Sequence, residues 1–316
     1  MRVNAMNAID IKDLSVFYKG RHFYQPSKPV LRHISLNVEE GEIYGLIGSN
    51  GAGKSTLIKM LLGLIFPKHG TASIFGHAVS EAPIHQLIGY LPEHPTFYPF
   101  LTATALLEFY GKLFKMPAQL RREKIKKVLA RVGLDNVPPQ TILREYSKGM
   151  LQRLGIAQAI LHDPKLLLLD EPMSGLDPMG RYEIAKLIQS LGSEGKTILF
   201  SSHILHDIEM LCDRVAIISK GELLQDSEIQ SLLSTTIRGI ELVLENTSTT
   251  QAELGLLPAT CEVHGKRILV NLPDFVALSQ VLIHVQKKQL NIIGINILRD
   301  SLEQYFVSEV NKGKRS

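Results

Sequence analysis

The residues best able to do chemistry in this chain sit in one octapeptide, Gly48-Ser49-Asn50-Gly51-Ala52-Gly53-Lys54-Ser55. It fits the pattern G-x-x-x-x-G-K-[ST], which cradles phosphate. Glycines reach backbone angles closed to other residues and let phosphate oxygens approach closely. Successive N–H groups and the positive end of the following helix favour anions. Lys54 is expected to reach the β- and γ-phosphates of a nucleotide, the Ser55 hydroxyl to ligate Mg²⁺, and Thr56 to complete the binding set. A second group follows far downstream. Lys165-Leu-Leu-Leu-Leu-Asp170-Glu171 ends an apolar run with two carboxylates. Alone, such a pair is most simply a solvated strand end. Beside a phosphate loop, Asp170 is expected to hold Mg²⁺ through water, and Glu171 to orient the water that attacks the γ-phosphate.

Those groups need elements that hold them. Residues 43–48 read as a buried strand running into the loop, and STLIKMLLGLIF (55–66) has the spacing and length of the helix that must follow. Residues 9–18 and 30–39 read as strands, the second with Ile34, Leu36 and Val38 alternating with polar neighbours. The polar, proline-containing segment 21–29 joins them as a loop. Residues 102–132 read as one or two helices, with Glu123 and Lys127 as an i,i+4 pair. Asp135–Pro139 reads as a loop and Ser147–His162 as a helix. LLLLD, TILFSSH and RVAIISKG are strands separated by helical stretches, the alternation of a mainly parallel sheet. Near Asp226 the pattern changes. Residues 241–245, 261–272 and 292–298 read as strands and 277–289 as a helix, so a small α+β domain is expected over 226–316.

Composition narrows the class. The 316 residues are 45% hydrophobic and 21% charged, ordinary for a globular chain, and suggest two domains. The net charge of +4 demands no basic face, which weighs against nucleic acid as a partner. Cys212 and Cys261 give neither metal spacing nor a disulfide framework, and a reducing cytosolic compartment fits them. The most apolar stretch, Leu57–Phe66, is interrupted by Lys59 and Gly63, and no run approaches the roughly 18 residues of a membrane span. The start, MRVNAMNAID, lacks the apolar core of a signal peptide. Any membrane association is therefore expected through a partner.

Four further motifs make the resemblance specific. Tyr146-Ser147-Lys148-Gly149-Met150, followed by Gln152 and Arg153, resembles the signature motif of the ABC ATPases. Ser174-Gly-Leu-Asp177-Pro178 resembles their D-loop, and His203 in FSSH their switch histidine. Gly89-Tyr-Leu-Pro-Glu93 stands where they carry the Q-loop. The motifs come in the family's order and cover residues 9–225. The resemblance implies a P-loop NTPase domain over 1–225, with a mainly parallel core, an antiparallel β part and a helical subdomain over about 94–164.

It also implies a mechanism. Two such domains meet head to tail around ATP, each phosphate loop facing the other chain's signature motif. Ser147 and Gly149 would then contact the γ-phosphate across the interface, Ser147 sitting at a helix start where a serine alone is more often only a cap. His203 would bond the γ-phosphate, and Asp177 would communicate between sites. The family places an aromatic platform for adenine at the end of the first strand. Tyr18 fits it, since Phe17 should face the other way and Tyr24 lies in the loop.

Three departures matter. Glu93 replaces the Q-loop glutamine, and a carboxylate there can still meet Mg²⁺ through oxygen. Lys148 replaces a signature glycine, and Met150 the usual glutamine. GYLPE and YSKGM together resemble a subfamily of ABC-2-type, drug-exporter ATPases with a C-terminal extension and separate permeases, and SLEQYF (301–306) resembles the end of such extensions. The aromatic segment His94–Phe100 falls where the family meets its permease. The implied function is an ATP-hydrolysing motor with a second ATP-binding subunit, the same chain or a relative, on the cytoplasmic face of a membrane permease. A soluble ABC ATPase acting on ribosomes or DNA, or a regulatory nucleotide-binding module, is the alternative. One phosphate loop and no sustained heptads speak against the former, and Glu171 with His203 against the latter.

Overall fold

The computed structural model describes residues 7–18, 28–233, 237–247, 250 and 260–299. Tyr24, the 301–306 stretch and the 311–316 tail lie outside the described residues. Two compact units divide the chain, Met1–Ile229 and Gln230–Ser316. The division falls four residues beyond the 225/226 expectation, because the strand Glu222–Glu228 stays paired to the one before it.

In the first unit, β1 (Asn7–Tyr18) and β2 (Lys28–Glu39) pair antiparallel. With β4 (His69–Ile74) and β5 (His77–Ala78), which the sequence pattern did not reveal, they form a four-stranded sheet in the order β2-β1-β4-β5. The second sheet contains β3 (Ile43–Ile47), β6 (Ile88–Leu91), β7 (Leu166–Asp170), β8 (Thr197–Ser202), β9 (Arg214–Ser219) and β10 (Glu222–Glu228). Its order is β10-β9-β3-β8-β7-β6. Only β10 runs antiparallel. Every residue of β3, β7 and β8 is buried, as strands covered on both faces require. The carboxyl ends of these parallel strands deliver the phosphate loop, Asp170 and Ser202 to one edge of the sheet.

The helix after the phosphate loop, α1 (Lys54–Leu61), is shorter than its apolar run suggested. Gly63 takes φ +70° and donates its N–H to the Met60 carbonyl, so the chain turns away before Phe66. Residues 102–132 form two helices, α2 (Ala103–Leu113), capped by Thr102, and α3 (Ala118–Arg131). The Glu123–Lys127 pair closes at 2.7 Å. Then follow α4 (Lys148–Ile160), α5 (Pro178–Ser193), α6 (Leu205–Leu211) and α7 (Ile229–Leu233). Asp177 caps α5 with Pro178 in its first turn, where a missing N–H costs nothing.

The second unit has β11 (Ile237–Glu245), β12 (Thr260–His264), β13 (Arg267–Leu272), α8 (Phe275–Lys287) and β14 (Ile292–Arg299). The sheet is antiparallel in the order β12-β13-β11-β14. Residues 261–272, read as a single strand, are a hairpin that turns at Gly265-Lys266, placing His264 opposite Arg267. Ile240, Leu242 and Leu244 of β11 and Ile268, Val270 and Leu272 of β13 share one core with Leu278, Val281 and Val285 of α8. The two-residue and three- to four-residue spacings put each set on one face. Among the described residues, no helix is long and apolar enough to cross a membrane.

Candidate functional site

The phosphate loop takes the conformation its glycines allow. Gly51 has φ +79° and Gly53 φ +117°. A side chain at Gly53 would also strike Leu31, its Cβ falling 2.6 Å from Leu31 Cδ2. Gly53 opens α1, so the first N–H groups of that helix face the loop's interior. The loop lines a cleft of about 340 Å³ together with Val30, Glu93 and Glu171. From the loop, Ser49 through Thr56 all border it. Gly48 lies behind, where its carbonyl accepts from Lys54 Nζ at 2.7 Å.

Lys54 and Glu171 are both buried, and Nζ lies 3.3 Å from Glu171 Oε1. The other Glu171 oxygen is 2.7 Å from His203 Nδ1. A buried carboxylate is thus held between two nitrogen groups, satisfying charges that are costly when isolated. The backbone makes this possible. Glu171 adopts φ +49°, breaking the strand alternation that would send Asp170 and Glu171 to opposite faces. Its N–H donates to Ser201 Oγ at 2.9 Å, and Ser201 Oγ donates to Asp170 Oδ1 at 2.6 Å. Asp170 is thus buried and anchored by Ser201 beside Glu171. Burial first, and then the Asp170 charge, push the Tyr90 phenol up to about 12.

Tyr18 is 42% exposed, and its hydroxyl lies 3.5 Å from Thr56 Oγ1, so its ring stands beside the start of α1. Phe17 points elsewhere, beneath Lys68 Nζ at 5.0 Å. Glu93 lines the cleft with a half-exposed carboxylate, 3.7 Å from His94 Nε2. Ser147 and Gly149 stand apart from the cleft. Ser147 Oγ accepts from Met150 N at 3.2 Å and caps α4. The buried Gln152 of α4 donates to the Pro172 carbonyl at 2.9 Å, tying that helix to the segment after Glu171. Tyr98 and Phe100 are 72% and 74% exposed, beside a hollow lined by Phe97, Tyr98, Phe109 and Tyr110.

Sequence reasoning missed Ser201, Arg181 and Asp207. Ser201 matters because β7 and β8 set it opposite Asp170, a strand pairing that leaves no local signature. Arg181 Nη2 lies 2.6 Å from Asp207 Oδ1, joining α5 to α6.

A phosphate loop at the carboxyl edge of a parallel sheet, with a buried carboxylate and a histidine on it, defines a P-loop ATP site. Residues 31–174 match the ABC transporter family. An uncharacterized ABC transporter ATP-binding protein of Synechocystis is 39% identical over 97% of this chain and 85% of its own length. The Nod factor export ATP-binding protein I of Burkholderia lata is 36% identical, over 78% of this chain and 82% of its own. A solved ATP-binding subunit of an ABC transporter is similar with a TM-score of 0.62 at 31% identity, covering 71% of this chain and 91% of that one. The chain belongs to the ABC transporter ATP-binding proteins, and it is an ATP-binding, ATP-hydrolysing subunit.

Proposed function

We propose that this subunit drives export through a separate membrane permease, working on its cytoplasmic face, and that the cleft above is its hydrolysis site. The observation that carries the site reading is Glu171 held between Lys54 and His203 at the phosphate loop. Glu171 orients the attacking water and accepts its proton, and His203 steadies that carboxylate and meets the γ-phosphate. Lys54 leaves Glu171 for the β- and γ-phosphates, and Tyr18 stacks on adenine. The loop residues Gly48, Ser49, Asn50, Gly51, Ala52, Gly53, Ser55 and Thr56 cradle the phosphates.

The donor set suits Mg²⁺. Ser55, Asp170 and Glu93 offer only hard oxygens, and this ion usually takes one or two carboxylates and completes its shell with water and phosphate. Among the described residues no cluster of three His, Cys, Asp or Glu side chains forms, so water and phosphate oxygens would complete the shell. When bound, the ion neutralises charge on the β- and γ-phosphates.

Ser147 and Gly149, outside this cleft, meet the γ-phosphate bound by a second ATP-binding subunit. ATP then favours the closed pair over the open one, which is the free-energy difference a motor needs. Exposed Tyr98 and Phe100 suit the permease contact. The export direction is supported by the GYLPE and YSKGM motifs and by the name of the Burkholderia lata relative. Two measurements test these readings. Lys54→Ala should abolish ATP binding by calorimetry, and unchanged affinity would overturn the site. Affinity purification of the tagged chain from detergent-solubilised membranes should bring down a multi-span protein. Soluble or ribosomal partners alone would overturn the transport reading.

A further inference from the structure

Arg181 and Asp207 form an ion pair that the hydrolysis site does not use directly. Asp207 is buried, its side chain 5% exposed, and its Oδ1 accepts from Arg181 Nη2 at 2.6 Å. Its Oδ2 faces the buried Ser202 hydroxyl at 3.4 Å. Ser202 Oγ in turn accepts from the Ile204 N–H at 3.0 Å. Ser202 and Ile204 flank His203, so this hydroxyl, within 3.2 Å of the Ile204 carbonyl as well, bridges across the histidine that meets Glu171 at 2.7 Å. At the other end, Arg181 lies in the first turn of α5, its N–H bonded to the carbonyl of the capping residue Asp177 at 3.0 Å.

Contacts therefore lead from Asp177 through Arg181 and Asp207 to Ser202, and the backbone from Ser202 carries on to His203 and its contact with Glu171. The contacts up to Ser202 are hydrogen bonds and one ion pair, the step to His203 is its peptide bond, and the central carboxylate is shielded from water, where such bonds are strong and costly to leave unmade. The pair also joins elements that sequence neighbours do not: α5 begins beside the segment after Glu171, whereas α6 follows His203.

We propose that Arg181 and Asp207 are positioning residues for the hydrolysis step, a latch through which the start of α5 fixes the His203 segment and hence the His203–Glu171 contact. This rests on the hydrolysis-site reading above. Movement of Asp177 when a second subunit docks would pull on α5 and change the setting of His203. In that case hydrolysis depends on the docked partner without the partner touching Glu171.

The test uses the full chain with Arg181→Gln, Asp207→Asn and Arg181→Lys. Arg181→Gln should lower kcat on the order of tenfold or more, with KM and calorimetric ATP affinity unchanged. Arg181→Lys, which keeps the charge, should recover much of the rate. The His203 Cε1–H resonance, assigned through His203→Gln, should move in Arg181→Gln and Asp207→Asn and return towards its original position in Arg181→Lys. Combining Arg181→Gln with His203→Gln should cost no more than His203→Gln alone. A kcat unchanged in Arg181→Gln, a fixed His203 resonance, or losses that multiply in the double variant would overturn the latch. If Glu171→Gln and His203→Gln keep full hydrolysis, the site reading itself fails. If those two are dead while Arg181→Gln is fully active, only the latch fails.

Discussion

The two units bury different things. In the first, Lys54, Asp170, Glu171 and Asp207 are all buried and each has a partner: Lys54 with Glu171, Asp170 with Ser201, Asp207 with Arg181. In the second, the buried described residues are aliphatic apart from Gly239 and Thr250. Taking a charge out of water costs several kcal/mol unless a well-placed partner returns it. A fold that accepts that cost four times is shaped by chemistry. A fold that buries Ile240, Leu242 and Leu244 against α8 is shaped by packing. The difference implies that single substitutions should act on rate in the first unit and on stability in the second.

The sharpest break of this contrast is Glu171→Gln. Removing the charge while keeping the shape should cut steady-state phosphate release by about 10³-fold, equivalent to about 4 kcal/mol of barrier. ATP binding should survive, and an ATP-loaded dimer should accumulate on size-exclusion chromatography. Hydrolysis at the original rate would remove Glu171 from the proposed chemistry. Next in size is Leu242→Ala. The cavity it leaves should cost the second unit about 3 kcal/mol, seen as an earlier transition for that unit in a calorimetric scan. Hydrolysis should be unchanged at temperatures where both units are folded. A rate loss there would show that the second unit acts on the site.

The smallest effect refines the contrast, because His162 is a titratable group of the first unit that serves packing. Its ring stacks on Phe114 with centroids 3.8 Å apart, and Nε2 donates to the Ile88 carbonyl at 3.0 Å. Burial pushes its pKa down to about 4, against an opposing pull from the Ile88 bond. The folded state thus keeps the ring neutral where the unfolded chain, with a value near 6.5, takes up a proton. The stability from His162 is complete above about pH 6.5 and is lost as pH falls from there towards 4, amounting to about 2 kcal/mol after solvent screening. His162→Phe keeps the stack and removes the titration. The fall in Tm between pH 6.5 and pH 4 should be shallower in that variant, and an equal fall would assign the acid sensitivity elsewhere.

Legibility followed the range of the interactions involved. The phosphate loop could be read because its function is local: eight consecutive residues, a strand before and a helix after. The extent of α1 could not, because apolar spacing continues past Leu61 and only the turn at Gly63 stops it. The hairpin at Gly265 was hidden for a related reason, since two alternating segments joined by a short turn look like one. The strands β4 and β5 pair at the far side of β1 through residues with little alternation to betray them.

The sequence by itself determined the chemical inventory and its order: a phosphate loop, a carboxylate pair after an apolar strand, a serine able to cap a helix, a histidine after another strand. Side-chain type and local spacing carry that information. Tertiary structure alone decided which carboxylate lines the cleft, that Ser201 bridges Asp170 and the Glu171 backbone, and that Arg181 meets Asp207. Each of these contacts joins residues more than twenty positions apart. Their geometry is set by strand register and helix placement, which depend on the whole packed core and leave no mark on the residues that meet.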